Sequence, residues 1–121
     1  MDVKLHLLKA ERNKKFLFEY LMTILGKCPD WASVVAFYSA LHFIEAFLKR
    51  KYGMDFEHHE ERHTFMSQNI PKRIFSAYYR LYDLGFTSRY KSIKDAPTCE
   101  EVNSAVRFDL ADVENFVMVA M

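Results

Sequence analysis

Trp31 to Leu48 reads WASVVAFYSALHFIEAFL, and this stretch decides the fold. It is apolar on nearly every side at helical spacing, which describes a central helix covered by neighbours on several faces. One polar stripe crosses it: Tyr38, His42, Glu45 and Lys49 follow one another at helical steps. Burying an imidazole and a carboxylate costs several kcal/mol unless each finds a partner. Other segments must therefore bring hydrogen bonds or charge to His42 and Glu45. Two readings stay open: satisfied polar groups that fix helix register, or one wall of a binding pocket.

Working outward, Gly26, Pro29, Gly53, Pro71, Gly85 and Pro97 punctuate the chain. The first helix is expected over about 2–25, with Val3, Leu7, Ala10, Leu17, Leu21 and Ile24 on one stripe. The second covers about 30–52, with Asp30 as its N-cap and Gly53 ending it in a left-handed turn. A third runs from about 58 to 69. A fourth starts at Pro71, carries Ile74, Tyr78 and Leu81 on one face, and stops at Gly85. After a loop over 86–97, Thr98 and Glu101 form a capping box. The last helix then aligns Val102, Val106, Leu110, Val113 and Val117. No window alternates at period two, so the expectation is an all-α, up-down bundle of about five helices.

Composition agrees. The 121 residues (14.4 kDa) form one domain, 1–121, and 50% hydrophobic content excludes a disordered chain. Three Gly and three Pro leave few turns. Residues 1–94 hold 16 Lys/Arg against 10 Asp/Glu, or +6, and residues 95–121 hold 1 against 6, or −5, which sums to the net +1. Basic clusters recur at Lys9/Arg12/Lys14/Lys15, Lys49/Arg50/Lys51, Lys72/Arg73/Arg80 and Arg89/Lys91/Lys94, either solvated helix faces or an anion-binding surface. Cys28 and Cys99 match no C-x-x-C pattern, so free thiols in a reducing, cytoplasmic setting are expected. The longest uncharged run, Trp31 to Ile44, has 14 residues, fewer than the roughly 20 of a membrane span, and no membrane association is expected. Asp2 and the alternating charges after it do not resemble a signal peptide.

His59-Glu60-Glu61-Arg62-His63 matches H-E-x-x-H, the zinc-hydrolase spacing that sets two imidazoles one turn apart on a metal. No histidine follows His63, and no strand is available to hold an extended substrate. The metal reading of His59 and His63 is thus a minor alternative, and no cofactor is expected. No G-x-S-x-G or glycine-rich phosphate loop occurs.

Phe37 to Leu48 resembles the second helix of HEPN domains, in which an aromatic pair, a histidine and small residues precede an apolar end. His59-Glu60-Glu61-Arg62 is similar to the histidine-bearing start of the next helix in that superfamily. Tyr78 to Leu84 with Ser88-Arg89-Tyr90 is similar to its late helix-to-loop signature. The resemblance spans residues 31–90. It implies a small all-α bundle that dimerises and serves as a metal-independent ribonuclease, a component of a toxin–antitoxin pair, or the partner of a small nucleotidyltransferase. The family's nuclease mark is an arginine followed within a few residues by a histidine: the arginine stabilises phosphate charge and the histidine moves the 2′-hydroxyl proton.

This chain departs there. Arg50 reaches His58 only after seven residues, and no histidine follows His63. The expectation is accordingly a HEPN-like module that binds RNA, a nucleotide phosphate or a partner protein, without catalysis. The expected cluster sets His59 and Arg62 opposite His42 and Glu45, with Arg89 and Tyr90 closing over them and Glu45 pairing with Arg62 or Arg89. The alternative is a ribonuclease with a relocated pair, His59 and Arg62. Surplus aromatics (Phe16, Phe18, Phe37, Phe43, Phe47, Phe75) and a helix apolar all round point to a homodimer.

Overall fold

The computed structural model describes residues 1–90, the side chain of Tyr90 excepted, and residues 96–121. Every regular element among the described residues is helical. α1 (Val3–Phe16) is capped by Asp2, whose carboxylate accepts from the Leu5 amide at 2.8 Å. It continues through a π-helical stretch, Leu17–Leu21, into a 3₁₀ turn, Met22–Ile24. The π stretch places extra residue per turn and shifts the phase of the stripe. Ile24, expected on the buried stripe, is consequently exposed, while His6, Ala10, Leu17 and Leu21 are buried.

α2 (Pro29–Tyr52) starts one residue earlier than expected. Pro29 takes the first helical position, where its missing N–H costs nothing, so Asp30 is a first-turn acid and not the N-cap. Gly53 ends the helix at φ 68°, as expected. Its N–H donates to the Lys49 carbonyl at 2.9 Å.

α3 (His59–Asn69) matches its expected span. α4 (Lys72–Tyr90) does not stop at Gly85. A Cβ at Gly85 would lie 3.1 Å from that of Phe37, so this glycine lets α4 approach α2 closely inside a continuing helix. Residues 86–90 of the expected loop are therefore helical, and 91–95, which include Lys91 and Lys94, lie outside the described residues. The Thr98/Glu101 capping box is present in both directions, each bond at 3.1 Å. α5 (Cys99–Ser104) passes through a π-helical stretch, Ala105–Leu110, directly into α6 (Ala111–Ala120), forming one rod.

Among the described residues the result is an all-α bundle of five rods with α2 at its centre. α1, α4 and the C-terminal rod pack on α2, and α3 lies at the periphery against α4. Phe37, Phe43, Ile44, Phe47 and Leu48 of α2 are essentially fully buried, as are Ile74, Tyr78 and Leu81 of α4 and the five aligned residues of the last rod. By length and composition α2 could cross a bilayer, yet 72% of its most apolar window is buried in this chain. Its all-round apolar character is thus met by the chain's own helices and does not call for a second subunit. Of the aromatics thought to be in surplus, Phe16 and Phe18 stay exposed.

The opposed charges of the two chain regions meet in space. Lys14 bonds Glu114 at 2.7 Å, Arg80 bonds Asp109 at 2.8 Å, and Arg73 lies 3.3 Å from Asp112. Members of two basic clusters are thereby paired within the fold.

Candidate functional site

Glu45 projects from the middle of α2 and Arg62 from the first turns of α3. Both are buried, at 7% and 3% exposure, and Arg62 Nη2 donates to Glu45 Oε1 at 2.6 Å. The same nitrogen donates to the Phe56 carbonyl at 2.8 Å, which ties down the loop between the two helices. Arg62 Nη1 lies 3.0 Å from His59 Nδ1. A guanidinium only donates, so His59 Nδ1 accepts and the imidazole carries its proton on Nε2. Burial, then the charges of Arg62 and Arg89, hold the His59 pKa below its ordinary value. The expected Glu45–Arg62–His59 grouping is present.

His42 does not join that group. Its Nδ1 lies 3.0 Å from Nδ1 of His6 on α1, with the rings 5.2 Å apart. One imidazole must donate and the other accept, so the two rings cannot both be charged. Burial, then the His6 ring, lowers the His42 pKa to about 4. Lys49, the last member of the stripe, bonds Asp55 at 2.6 Å. Donor atoms of His6, Glu45 and Asp55 lie within 4.8 Å of one another. Each carboxylate there already has its own cation, Arg62 or Lys49, and the group is balanced without a metal.

Arg89 does not reach Glu45 either. Near the end of α4 its Nη1 donates to the Tyr38 hydroxyl at 2.7 Å and its Nε to the Gly85 carbonyl at 3.3 Å. The guanidinium sits over the rings of Tyr38 and Phe37, at 5.4 and 5.9 Å. Phe37 also contacts the His59 ring at 5.8 Å and so joins the two parts of the site. The Tyr90 side chain lies outside the described residues.

The HEERH histidines share one face, with their rings 6.1 Å apart. They do not suit a zinc hydrolase. His59 Nδ1 is occupied by Arg62, and no third His, Cys, Asp or Glu donor converges on the pair among the described residues. Glu60, which would have to serve as base, instead lines a separate surface hollow with Phe56, Glu61 and Phe65. The His63 ring is framed by Phe75, Tyr78, Tyr79 and Tyr82, closest to Tyr82 at 4.6 Å. Burial, then the neighbouring His59 and Arg62, lowers its pKa to about 4.

Chemically, the inner part is a committed ion pair. Arg62 is spent on Glu45, His59 and Phe56, and three buried polar atoms around it, Arg62 Nε, His63 Nε2 and the Tyr78 hydroxyl, have no hydrogen-bond partner among the described residues. The outer part, Arg89 on its aromatic bed, is a half-buried cation. His6 went unread in the sequence, although its i, i+4 spacing to Ala10 places it on the buried side. Compared with family models, curated proteins and solved structures, the chain matches none of them.

Proposed function

We propose that this chain is a HEPN-like helical module that binds RNA or a nucleotide through a phosphate group, without cleaving it. The observation that carries this reading is the state of Arg89. It is a half-buried guanidinium held by Tyr38 and Gly85 over the rings of Phe37 and Tyr38, beside a His59 whose pKa burial holds below its ordinary value. A guanidinium presents a planar fork suited to phosphate oxygens, and one held in place by neighbours loses little entropy on binding. General acid–base cleavage needs a histidine and an arginine both able to approach the scissile phosphate. Here Arg62 is buried against Glu45, which supports binding over catalysis.

The test is fluorescence anisotropy with a labelled single-stranded RNA hexamer. Arg89→Ala weakens binding by about tenfold or more, and Arg89→Lys falls between that variant and the parent. The log–log salt slope of Arg89→Ala is shallower by about 0.7. Unchanged affinity in Arg89→Ala removes the reading. RNA cut in the presence of EDTA, with cutting lost in His59→Ala, would replace it with the ribonuclease.

The proposal includes a homodimer formed along α1. Leu8 and Phe18, 58% and 41% exposed, flank a surface groove of about 600 Å³ whose rim carries both signs of charge, Glu11 and Glu19 with Arg12 and Lys15. Such a face suits a second copy of itself. Light scattering is expected to give twice 14.4 kDa for the parent and the single value for Phe18→Asp. A parent that is monomeric at high micromolar concentration overturns it.

A further inference from the structure

Trp31, in the first turn of α2, is 63% exposed, an unusual state for an indole in a chain that buries most of its large apolar groups. It lines a cavity of about 380 Å³ together with Asp30, Val34, Ser88 and Arg89. That volume lies in the range of small-ligand sites. The start of α2 and the end of α4 are fixed to each other there, because the Ser33 and Ser88 hydroxyls lie 2.6 Å apart. Trp31, Asp30 and Arg89 therefore line one hollow between two helices held together by that bond.

We infer that this hollow takes one nucleotide of single-stranded RNA, its base stacked on Trp31 and its phosphate on Arg89. The inference rests on the phosphate-binding reading of Arg89 and adds a base site to it. An exposed indole gives a flat surface on which any base can stack, and a nearby cation follows the backbone. Asp30 adds selectivity. Its carboxylate only accepts, and no hydrogen bond to it occurs among the described residues, whereas its backbone carbonyl is taken by Ser33. A carboxylate accepts from the exocyclic amine of cytosine and repels the carbonyl that uracil carries at the same position. The site thus favours amine-bearing bases over uracil.

Trp31 is the only tryptophan in the chain, so its emission reports on this site directly. Oligocytidylate and oligouridylate hexamers are titrated at neutral pH, following Trp31 emission and, in parallel, the anisotropy of a labelled hexamer. Saturable quenching by oligocytidylate is expected, with affinity about tenfold above oligouridylate. Trp31→Ala weakens oligocytidylate binding about tenfold and Trp31→Phe restores most of it, both read by anisotropy. Asp30→Asn brings the two hexamers to similar affinity. Anisotropy that depends on Arg89 without any change in Trp31 emission overturns the base site and leaves the phosphate reading intact. No binding by either measurement overturns both. Emission that shifts with protein concentration but ignores the oligonucleotides assigns Trp31 to a subunit contact and overturns the inference.

Discussion

Arg62→Ala lowers the free energy of unfolding by about 3–5 kcal/mol, the cost of leaving a buried carboxylate without its cation. Small domains have only about 5–15 kcal/mol in total, so the loss is a large fraction of the whole. Three bonds are lost together: to Glu45, to the Phe56 carbonyl and to His59. Glu45→Ala strands the guanidinium instead and costs a similar amount. The double variant Glu45→Leu/Arg62→Met recovers a large part of the loss, because apolar groups of matching size need no partner. Urea unfolding at neutral pH measures all three, with the slope compared to confirm that the same surface unfolds. A single-variant loss below about 1 kcal/mol, the range of solvent-exposed pairs, would show that Glu45 and Arg62 are accessible to water.

Acid is the second strong perturbation. His6, His42, His59 and His63 all sit below the ordinary histidine pKa of 6.5, with His42 and His63 at about 4. Above pH 6.5 neither the folded nor the unfolded chain protonates them, and they do not affect stability. Between 6.5 and about 4 the unfolded chain binds protons that the folded chain refuses, so stability falls with pH. Below about 4 the folded chain binds them too, and the loss from these two groups levels off. Discounted for solvent at half-buried rings, the loss is roughly 1–2 kcal/mol for each of His42 and His63. Asp55, whose pKa is lowered first by its hydrogen bond from Lys49, loses its contribution only under more acidic conditions. Urea midpoints at several pH values between 7.5 and 4.5 trace the effect. His63→Phe, in a site framed by aromatic edges, flattens the profile. A parent whose midpoint is constant over that range would contradict the neutral-imidazole account.

Much of this was legible in the sequence because a buried charge forces its own answer. Glu45 on an otherwise apolar helix required a cation, and Arg62 of HEERH on the next helix supplies it. The same argument required a partner for His42 but pointed to α3, whereas the partner is His6 of α1. The π-helical stretches after Phe16 and Ser104 carry no compositional mark, so the phase shift that exposes Ile24 could not be read. Glycine usually ends a helix, whereas Gly85 sits inside one and admits the Phe37 side chain. Trp31 read as the first residue of a buried run. Its exposure is one-sided, since Ala32 and Ser33 beside it are buried against the end of α4 while Trp31 stands on the outer face of the same turn.

The order of charges along the chain also sets the order in which they can be neutralised. Lys14 waits for Glu114, and Arg73 and Arg80 for Asp112 and Asp109, so the counterions of early segments arrive only with the later acidic rod. During translation, at about 5–20 residues per second, residues 1–94 with their excess of six positive charges emerge before the acidic rod that neutralises them. Docking of the rod that carries Asp109, Asp112 and Glu114 and neutralisation of these cations are therefore one event.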